Sequence, residues 1–151
     1  MKNKIVIIIL SLFLTGCERK PLLDNLSGAK VTQEIMIDKW GQWIPTNIFI
    51  KKGQTFRITA KGNISLSYWY NNQIAIIDPR GRKVSDERDI FIPYENVGVL
   101  VGRIGIYSGV YVFGESCDGI SMYDGVLELG INNSSYYNFV SGSYTVTVTI
   151  E

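Results

Sequence analysis

The strongest constraint on the fold is an alternation of apolar and polar residues with a period of two. In its clearest form, at 143–150, apolar side chains at even positions alternate with threonines at 145, 147 and 149. Successive side chains of a strand point to opposite faces, so this pattern predicts a strand with one buried and one solvated face. Threonine suits the solvated face because its branched carbon fits the pleat while its hydroxyl meets water.

Similar short segments recur along 31–151, separated by turns rich in glycine, asparagine and proline. No part of this region has helical spacing. Turns are predicted at 51–54, 61–63 and 78–81. The pattern predicts an all-β fold, an antiparallel β-sandwich of about eight or nine strands in a single domain. The predicted strands cover 35–37, 48–50, 56–60, 64–70, 73–77, 97–104, 110–113, 126–131 and 143–150.

The first residues have the pattern of an export signal. Lys2 and Lys4 precede an apolar run at 5–14, and small residues follow at Thr15 and Gly16. A membrane-spanning helix needs roughly 20 apolar residues, and this run is about half that length. We therefore predict a signal peptide at 1–16, followed by a tether at 17–30 and the β domain at 31–151.

The sequence Leu14-Thr15-Gly16-Cys17 resembles a bacterial lipobox. That resemblance implies cleavage before Cys17, a diacylglyceride on its sulfur and an acyl chain such as palmitate on the new N-terminus. Two or more acyl chains hold a protein firmly at a membrane. Glu18, rather than an aspartate, follows the cysteine and favours the outer membrane. The residues do not determine which face of that membrane the domain occupies; a periplasmic location is the expectation. The alternative is an ordinary secreted protein whose cysteine happens to follow Gly16.

Composition excludes several classes of function. The formal net charge is +1 and there is no basic block, which argues against a nucleic-acid partner. The chain has no histidine, which removes the common zinc sites and the histidine-based nucleophile systems. The acidic residues at 86–89 are interleaved with Arg82, Lys83 and Arg88, as in a solvated loop. We expect no enzymatic activity.

Cys117 would be the odd cysteine of a lipidated chain. If Cys17 carries lipid, an internal disulfide is excluded. Cys117 is then either buried, where it behaves as a small apolar residue, or available for an intermolecular bond. Burial is the favoured interpretation.

Three segments at 52–62, 99–105 and 125–146 carry a family resemblance. They read Lys-Gly-Gln-Thr-Phe-Arg-Ile-Thr-Ala-Lys-Gly, then Val-Leu-Val-Gly-Arg-Ile-Gly, then Gly-Val-Leu-Glu-Leu-Gly-Ile-Asn-Asn, running on to Ser-Gly-Ser-Tyr-Thr-Val. In order and spacing they resemble the PA-I-like galactophilic lectins of bacteria. The resemblance implies a galactose-binding-like jelly roll and a sugar held on a calcium ion.

The resemblance also locates a ligand site, in a degraded form. The family's calcium-binding aspartate corresponds to Asn132 or Asn133, and its asparagine pair to the residues at 139–140; Asn138 lies close by as a substitute ligand. Calcium prefers six to eight oxygens, with carboxylates among them. A site built from Asn132, Asn133, Asn138 and carbonyl groups carries no negative charge, so we expect weak calcium binding or none.

Two aromatic clusters complete the candidate ligand-binding set. Tyr136 and Tyr137 lie in the predicted loop at 132–140, while Tyr68 and Trp69 lie at the end of a predicted strand. Tyrosine offers stiff contact area with a polar tip, which suits a sugar face or a protein partner. The alternative for the loop is a polar surface with its tyrosines packed beneath it. For residues 68–70 the alternative is core packing.

Two functions are compatible with these features. The first is a lectin-like, non-catalytic lipoprotein that recognises carbohydrate through the 132–140 loop and nearby aromatic side chains. The second is a periplasmic immunity lipoprotein that binds and neutralises a toxic effector, such as a secreted lipase or peptidoglycan hydrolase. A structural subunit of an envelope assembly is a third possibility.

Overall fold

A computed structural model describes residues 30–83, 92–93 and 95–151 of the chain. Across those residues it contains strands and turns and no helix, which confirms the predicted all-β class. The strands are β1 (Val31–Ile37), β2 (Ile44–Ile50), β3 (Thr55–Tyr68), β4 (Ile74–Ile77), β5 (Leu100–Ile104), β6 (Tyr111–Val112), β7 (Ser116–Ile120), β8 (Gly125–Ile131) and β9 (Tyr137–Ile150).

The strands form two antiparallel sheets. The first has the order β1-β9-β3-β4, with β7 also paired to β3, and the second has the order β2-β8-β5-β6. β3 and β9 pair along nearly their whole lengths, from Phe56 opposite Ile150 to Tyr68 opposite Tyr137. At roughly 3.3 Å per residue, this ladder is about 40 Å long and sets the length of the domain.

The core lies between the two sheets. Ile58, Leu66 and Val146 of the first sheet and Leu127 and Leu129 of the second are all fully buried. Along the second half of β9, buried apolar residues alternate with half-buried polar residues, as the sequence period predicts. This burial of apolar area is the main stabilising contribution to such a fold.

The turn predicted at 61–63 is wrong, because β3 runs through it without interruption. Gly62 has a φ of +107° and lies against β9, where a Cβ atom would come 2.5 Å from the Ser143 carbonyl oxygen. Glycine is needed here both for the positive φ and for the close approach of the two backbones. The Lys-Gly-Asn sequence thus marks a distortion within a long ladder rather than a reversal of the chain.

Three further points of the strand prediction need correction. β7 was not predicted, because its sequence Ser-Cys-Asp-Gly-Ile is poor in strand-forming residues; it is held by pairing with β3, with Cys117 opposite Ile58. β9 begins at Tyr137 rather than at 143, so residues 137–140 belong to a strand and not to a loop. The strand predicted at 64–70 is the last part of β3, which ends at Tyr68.

Cys117 is half-buried on β7 and packs against the core. Burial raises the pKa of its thiol, which keeps it in the less reactive protonated form. This position agrees only in part with the predicted burial of Cys117, since the side chain is not enclosed.

Several predictions fall on residues that the structure does not describe. They are the signal peptide at 1–16, the tether up to residue 29 with its lipid on Cys17, and the acidic residues at 86–89. Within the described part of the chain, no helix has the length and apolar character needed to cross a bilayer.

Candidate functional site

A cleft of about 530 Å³ opens at the end of the domain where β3 finishes and β9 begins. It brings together aromatic residues of both predicted clusters, which are far apart in the sequence. The residues around it are Tyr68, Asn71, Gln73, Ile74, Ala75, Arg82, Lys83, Ser134, Tyr136 and Tyr137.

Strand pairing fixes the aromatic wall of the cleft. Tyr68 and Tyr137 are the last paired residues of the β3–β9 ladder, and their ring centroids lie 5.4 Å apart with a 51° tilt. One step beyond, the Trp69 N–H donates a hydrogen bond to the Tyr136 carbonyl oxygen at 3.0 Å. The rings are therefore held by the backbone of two long strands, which gives a rigid contact surface.

Two turns next to this wall are closed by their own polar groups. In the first, the Asn71 carboxamide oxygen accepts a hydrogen bond from the Gln73 N–H at 3.0 Å, and Asn72 adopts a φ of +54°. In the second, the buried Ser134 hydroxyl oxygen accepts from the Tyr136 N–H at 3.3 Å. Both are side-chain turns of the kind that asparagine and serine favour. They hold Gln73 and Tyr136 at the cleft.

Two basic residues line the cleft beside the aromatic wall and the two turns. Arg82 and Lys83 are exposed, and Arg82 is fixed by backbone hydrogen bonds of 2.8 and 3.0 Å with Val97. Among the described residues, no aspartate or glutamate lines the cleft. The cleft therefore combines aromatic faces, amide groups and two cations.

A buried tyrosine supports the segment that carries these cations. Tyr144 is fully enclosed in the core, and its hydroxyl lies 2.9 Å from the Asp78 carbonyl oxygen and 2.8 Å from that of Gly98. Burial, the larger cause, and the nearby Asp78 raise the pKa of Tyr144 well above its usual range. The Arg80 guanidinium hydrogen-bonds the Asp78 carboxylate and lowers its pKa. In the sequence, the one indication of this structural role is that a tyrosine occupies a strand face otherwise filled by Val and Ile.

Asn132 does not face the cleft, which is a correction to its predicted ligand role. Its side chain is completely buried. The carboxamide oxygen accepts from the Ile92 N–H at 2.8 Å, and the amide nitrogen donates to the Asn96 carbonyl oxygen at 3.0 Å. Asn132 therefore positions a neighbouring segment of chain, and its buried carboxamide oxygen is not available to coordinate an ion or to bind a sugar.

The other two asparagines are also dispersed. Asn133 is half-buried and packs against Gly41 of the β1–β2 connection. Asn138 lies on β9 opposite Ser67, with its side chain exposed. Neither lines the cleft, and the three predicted ligands do not converge on one point. Elsewhere in the described ranges, no three His, Cys, Asp or Glu side chains are grouped closely enough to hold a metal. The donors that the described residues supply here do not fit a calcium ion.

Trp69 and Tyr70 lie in the turn that follows β3, next to the cleft but outside its lining. Trp69 is 53% exposed and Tyr70 77% exposed, and their rings meet edge to face at 5.8 Å. The core-packing interpretation of residues 68–70 is therefore wrong for these two side chains. Tyr68 alone of the three reaches the cleft.

Sequence reasoning found the tyrosines of the cleft and missed its polar residues. Asn71, Gln73 and Ser134 sit in turns of ordinary composition, and Arg82 and Lys83 were interpreted as part of a solvated loop. Their convergence depends on how the turns fold over the sheet end, which has no local signal in the sequence.

A scan against protein-family models and a search of curated proteins gave no match. Among solved structures, the chain is similar to one described as the EclA N-terminal domain, a PllA-like lectin. The TM-score is 0.56 at 19% sequence identity, and the match covers 78% of this chain and 95% of that one. The two share a fold, and the predicted PA-I-like lectin sandwich is confirmed at that level.

Proposed function

We propose that this chain binds carbohydrate in the cleft formed by Tyr68, Tyr136 and Tyr137, and that it catalyses no reaction. The observation that carries the proposal is the rigid pair of rings at 5.4 Å, flanked by amide groups, in a lectin-like sandwich. The similar solved structure is described as a lectin, which supports the same class of ligand.

The chemistry of the cleft suits a sugar. Pyranose rings present apolar C–H faces that pack on aromatic rings, and their hydroxyl groups both donate to and accept from amides such as Asn71 and Gln73. A volume of about 530 Å³ lies within the range of roughly 300–1,000 Å³ that is usual for small-molecule sites. The cleft therefore has room for a glycan end and groups that can recognise it.

The charge of the described residues that line the cleft favours an acidic glycan. Arg82 and Lys83 face the cleft, and among the described lining residues nothing offsets them with a carboxylate. A carboxylate or phosphate on the glycan would meet two cations, each adding a modest and salt-dependent attraction. We expect acidic glycans to bind more tightly than neutral glycans of the same shape.

We expect binding without calcium, because the donors found among the described residues do not fit that ion. We also expect no catalysis. Glycoside hydrolysis uses two carboxyl groups flanking the scissile bond, and none of the described residues that line the cleft supplies one. The lack of histidine removes the most common general base as well.

The lipobox-like sequence ending at Cys17 supports a subcellular location for this binding activity. We propose a lipid-anchored protein of the outer membrane, with its domain in the periplasm. Mass spectrometry of the N-terminal peptide tests this directly. A diacylglyceryl cysteine is the expected result, and an unmodified peptide that includes Met1 contradicts it.

One observation favours a second function. Trp69 and Tyr70 are exposed beside the cleft, and these two residue types are enriched where protein partners bind strongly. They suit the alternative of an immunity lipoprotein that neutralises an effector protein. Loss of a co-purifying partner on Trp69→Ala would support it.

A glycan array of the purified protein, with and without calcium, tests the main proposal. We expect binding to a defined set of glycans that is unchanged by calcium and lost in Tyr136→Ala. Tyr107→Ala, in the exposed turn that follows β5 and outside the lining of the cleft, is the matched control and should bind as the unsubstituted protein does. An array without signal, or equal loss in both variants, would contradict the proposal.

A further inference from the structure

The polypeptide enters the domain at the end opposite the cleft. Lys30, the first described residue, forms a salt bridge of 3.0 Å with Glu151, and Val31 pairs with Ile150. Glu151 in turn shares backbone hydrogen bonds with Thr55, the first residue of β3. Because the cleft lies where β3 ends, the two features are separated by about 40 Å of β3–β9 ladder.

Exposed apolar side chains gather on two turns at that same end. Residues 105–110 and 121–124 are neighbours, since the Gly105 N–H donates to the Val126 carbonyl oxygen at 2.9 Å and a Cβ on Gly105 would meet the Asp124 carbonyl oxygen at 3.0 Å. We define the tether-end surface as the apolar residues that these two turns expose to solvent: Ile106, Tyr107, Val110, Met122 and Tyr123.

The exposure of this surface is high. Tyr107 is 88% exposed, Ile106 67% and Met122 62%. Single exposed apolar residues are ordinary, but a group of them at one end of a domain marks a contact surface. Lys51 and Lys52 stand exposed on the adjoining turn, where the Lys52 N–H donates to Asp124 at 2.7 Å. Apolar side chains, tyrosines and lysines together are the composition of a membrane-interface contact.

We propose that the tether-end surface rests on the lipid bilayer and so directs the cleft away from the membrane. The chain that precedes the described residues identifies the bilayer as the partner: Cys17, the predicted lipid attachment site, lies 13 positions before Lys30, so the tether joins the domain at this end. A tether from Cys17 to Lys30 can extend to about 45 Å. It brings the domain to the membrane but does not orient it, and the apolar surface supplies the orientation.

The contact would be of the interfacial kind. Ile106 and Met122 reach the boundary of the acyl chains, the tyrosine hydroxyls stay at the level of the headgroups, and Lys51 and Lys52 approach lipid phosphates. The cleft then stands roughly a domain length from the bilayer, accessible to glycans in the periplasm. This inference rests on the predicted lipid anchor and does not depend on what the cleft binds.

The positions of the tryptophans make the proposal testable by fluorescence. The chain has three tryptophans. Trp69 follows the last residue of β3, and Trp40 and Trp43 lie on the connection from β1 to β2, so none is at the tether end. The experiment uses full-length processed protein in vesicles of phosphatidylethanolamine and phosphatidylglycerol, with or without bromine on the acyl chains. The Tyr107→Trp variant adds a reporter at the tether end, and Tyr70→Trp adds one at the cleft end at a similarly exposed tyrosine.

We expect brominated lipid to quench most of the emission that Tyr107→Trp adds, and to leave the emission of the native tryptophans and of Tyr70→Trp largely unchanged. A further variant that combines Tyr107→Trp with Ile106→Ser and Met122→Ser separates docking from mere proximity. Its quenching should fall towards that of Tyr70→Trp, because the domain then moves freely on its tether.

Three results would overturn the proposal. They are failure of the protein to associate with the vesicles, equal quenching of the reporters at positions 107 and 70, and undiminished quenching when Ile106 and Met122 are replaced. None of them bears on glycan binding, which the array measures in the absence of lipid.

Discussion

The two ends of the β3–β9 ladder use tyrosine in opposite ways. At the cleft end, Tyr68 and Tyr137 face each other at 5.4 Å because both are paired residues of long strands. At the tether end, Tyr107 and Tyr123 stand on short turns and point into solvent. The same side chain thus becomes part of a shaped recess or part of an open apolar surface, according to whether strand pairing or a turn positions it.

The ends also differ in their buried polar support. Beneath the cleft, Asn132 and Ser134 hold neighbouring backbone with side-chain hydrogen bonds. At the tether end the corresponding residue is Ser121, whose hydroxyl donates to the Tyr123 carbonyl oxygen at 2.6 Å. A recess for a specific ligand needs a fixed geometry, whereas a surface that meets lipid does not.

The largest expected effect tests this difference in support. Asn132→Asp replaces a donating amide with a charged oxygen that faces the Asn96 carbonyl oxygen, so we expect the free energy of unfolding to fall by about 3 kcal/mol or more. Ser121→Ala at the tether end should cost about 1 kcal/mol. Urea unfolding of both variants measures the two values. Near-normal stability of Asn132→Asp would show that the amide is not a structural support.

The next effect concerns ligand affinity. Tyr136→Ala removes one ring of the cleft, and we expect affinity for the tightest array glycan to fall at least tenfold, which corresponds to about 1.4 kcal/mol. Tyr107→Ala should leave the same affinity unchanged. Isothermal titration calorimetry separates the variants. A loss of affinity in Tyr107→Ala alone would move the site to the other end of the domain.

A smaller effect depends on the buried tyrosine hydroxyl. Tyr144→Phe removes the hydroxyl whose single proton is shared between the Asp78 and Gly98 carbonyl oxygens, and should lower the free energy of unfolding by about 1 kcal/mol. Burial raises the pKa of Tyr144 in the folded protein, so its contribution to stability is complete below about pH 10, where unfolded tyrosine is still protonated, and is lost as the pH rises further.

Chemical unfolding between pH 8 and 11 checks the sign of this effect. Stability should decline at the alkaline end, and less steeply in Tyr144→Phe. Some decline should remain in that variant, because partial burial also raises the pKa of Tyr111. Identical alkaline slopes in the two proteins would contradict the expected ionisation of Tyr144 on unfolding.

Charge at the cleft should give the smallest change. Arg82→Ala is expected to weaken binding of an acidic glycan by roughly two- to fivefold, and neutral glycans by less, because an exposed cation contributes little in water. Lys52→Ala at the tether end is the control with the same loss of charge. If both variants weaken binding equally, net charge rather than local contact is responsible. A chelator is expected to have no effect on any of these affinities.

The alternation of residue types was sufficient to predict the class of fold and much of the core. At 144–150 the apolar positions are buried as predicted, because only one register of an alternating strand places its apolar side chains against the core. The same reasoning failed at Gly62, where a glycine that permits close strand packing has the appearance of a turn. Strand β7 was missed since its pairing with β3, not its own residues, makes it a strand.

The candidate site was predictable only in its aromatic part. Tyr136 and Tyr137 were identified from their composition, and the β3–β9 pairing then explains why Tyr68 joins them. Asn132 was predicted to be a ligand because an asparagine after a strand resembles a family position, but its carboxamide is used within the fold. Whether an amide faces inwards or outwards depends on tertiary contacts that carry no local signal.

Hydrogen–deuterium exchange with and without the tightest-binding array glycan tests the central claim most directly. If ligand binds where β3 ends and β9 begins, backbone amides at 68–75 and 133–137 become protected, while those at 105–110 and 121–124 exchange as before. Protection confined to the tether-end turns, or none at either end, would contradict the account.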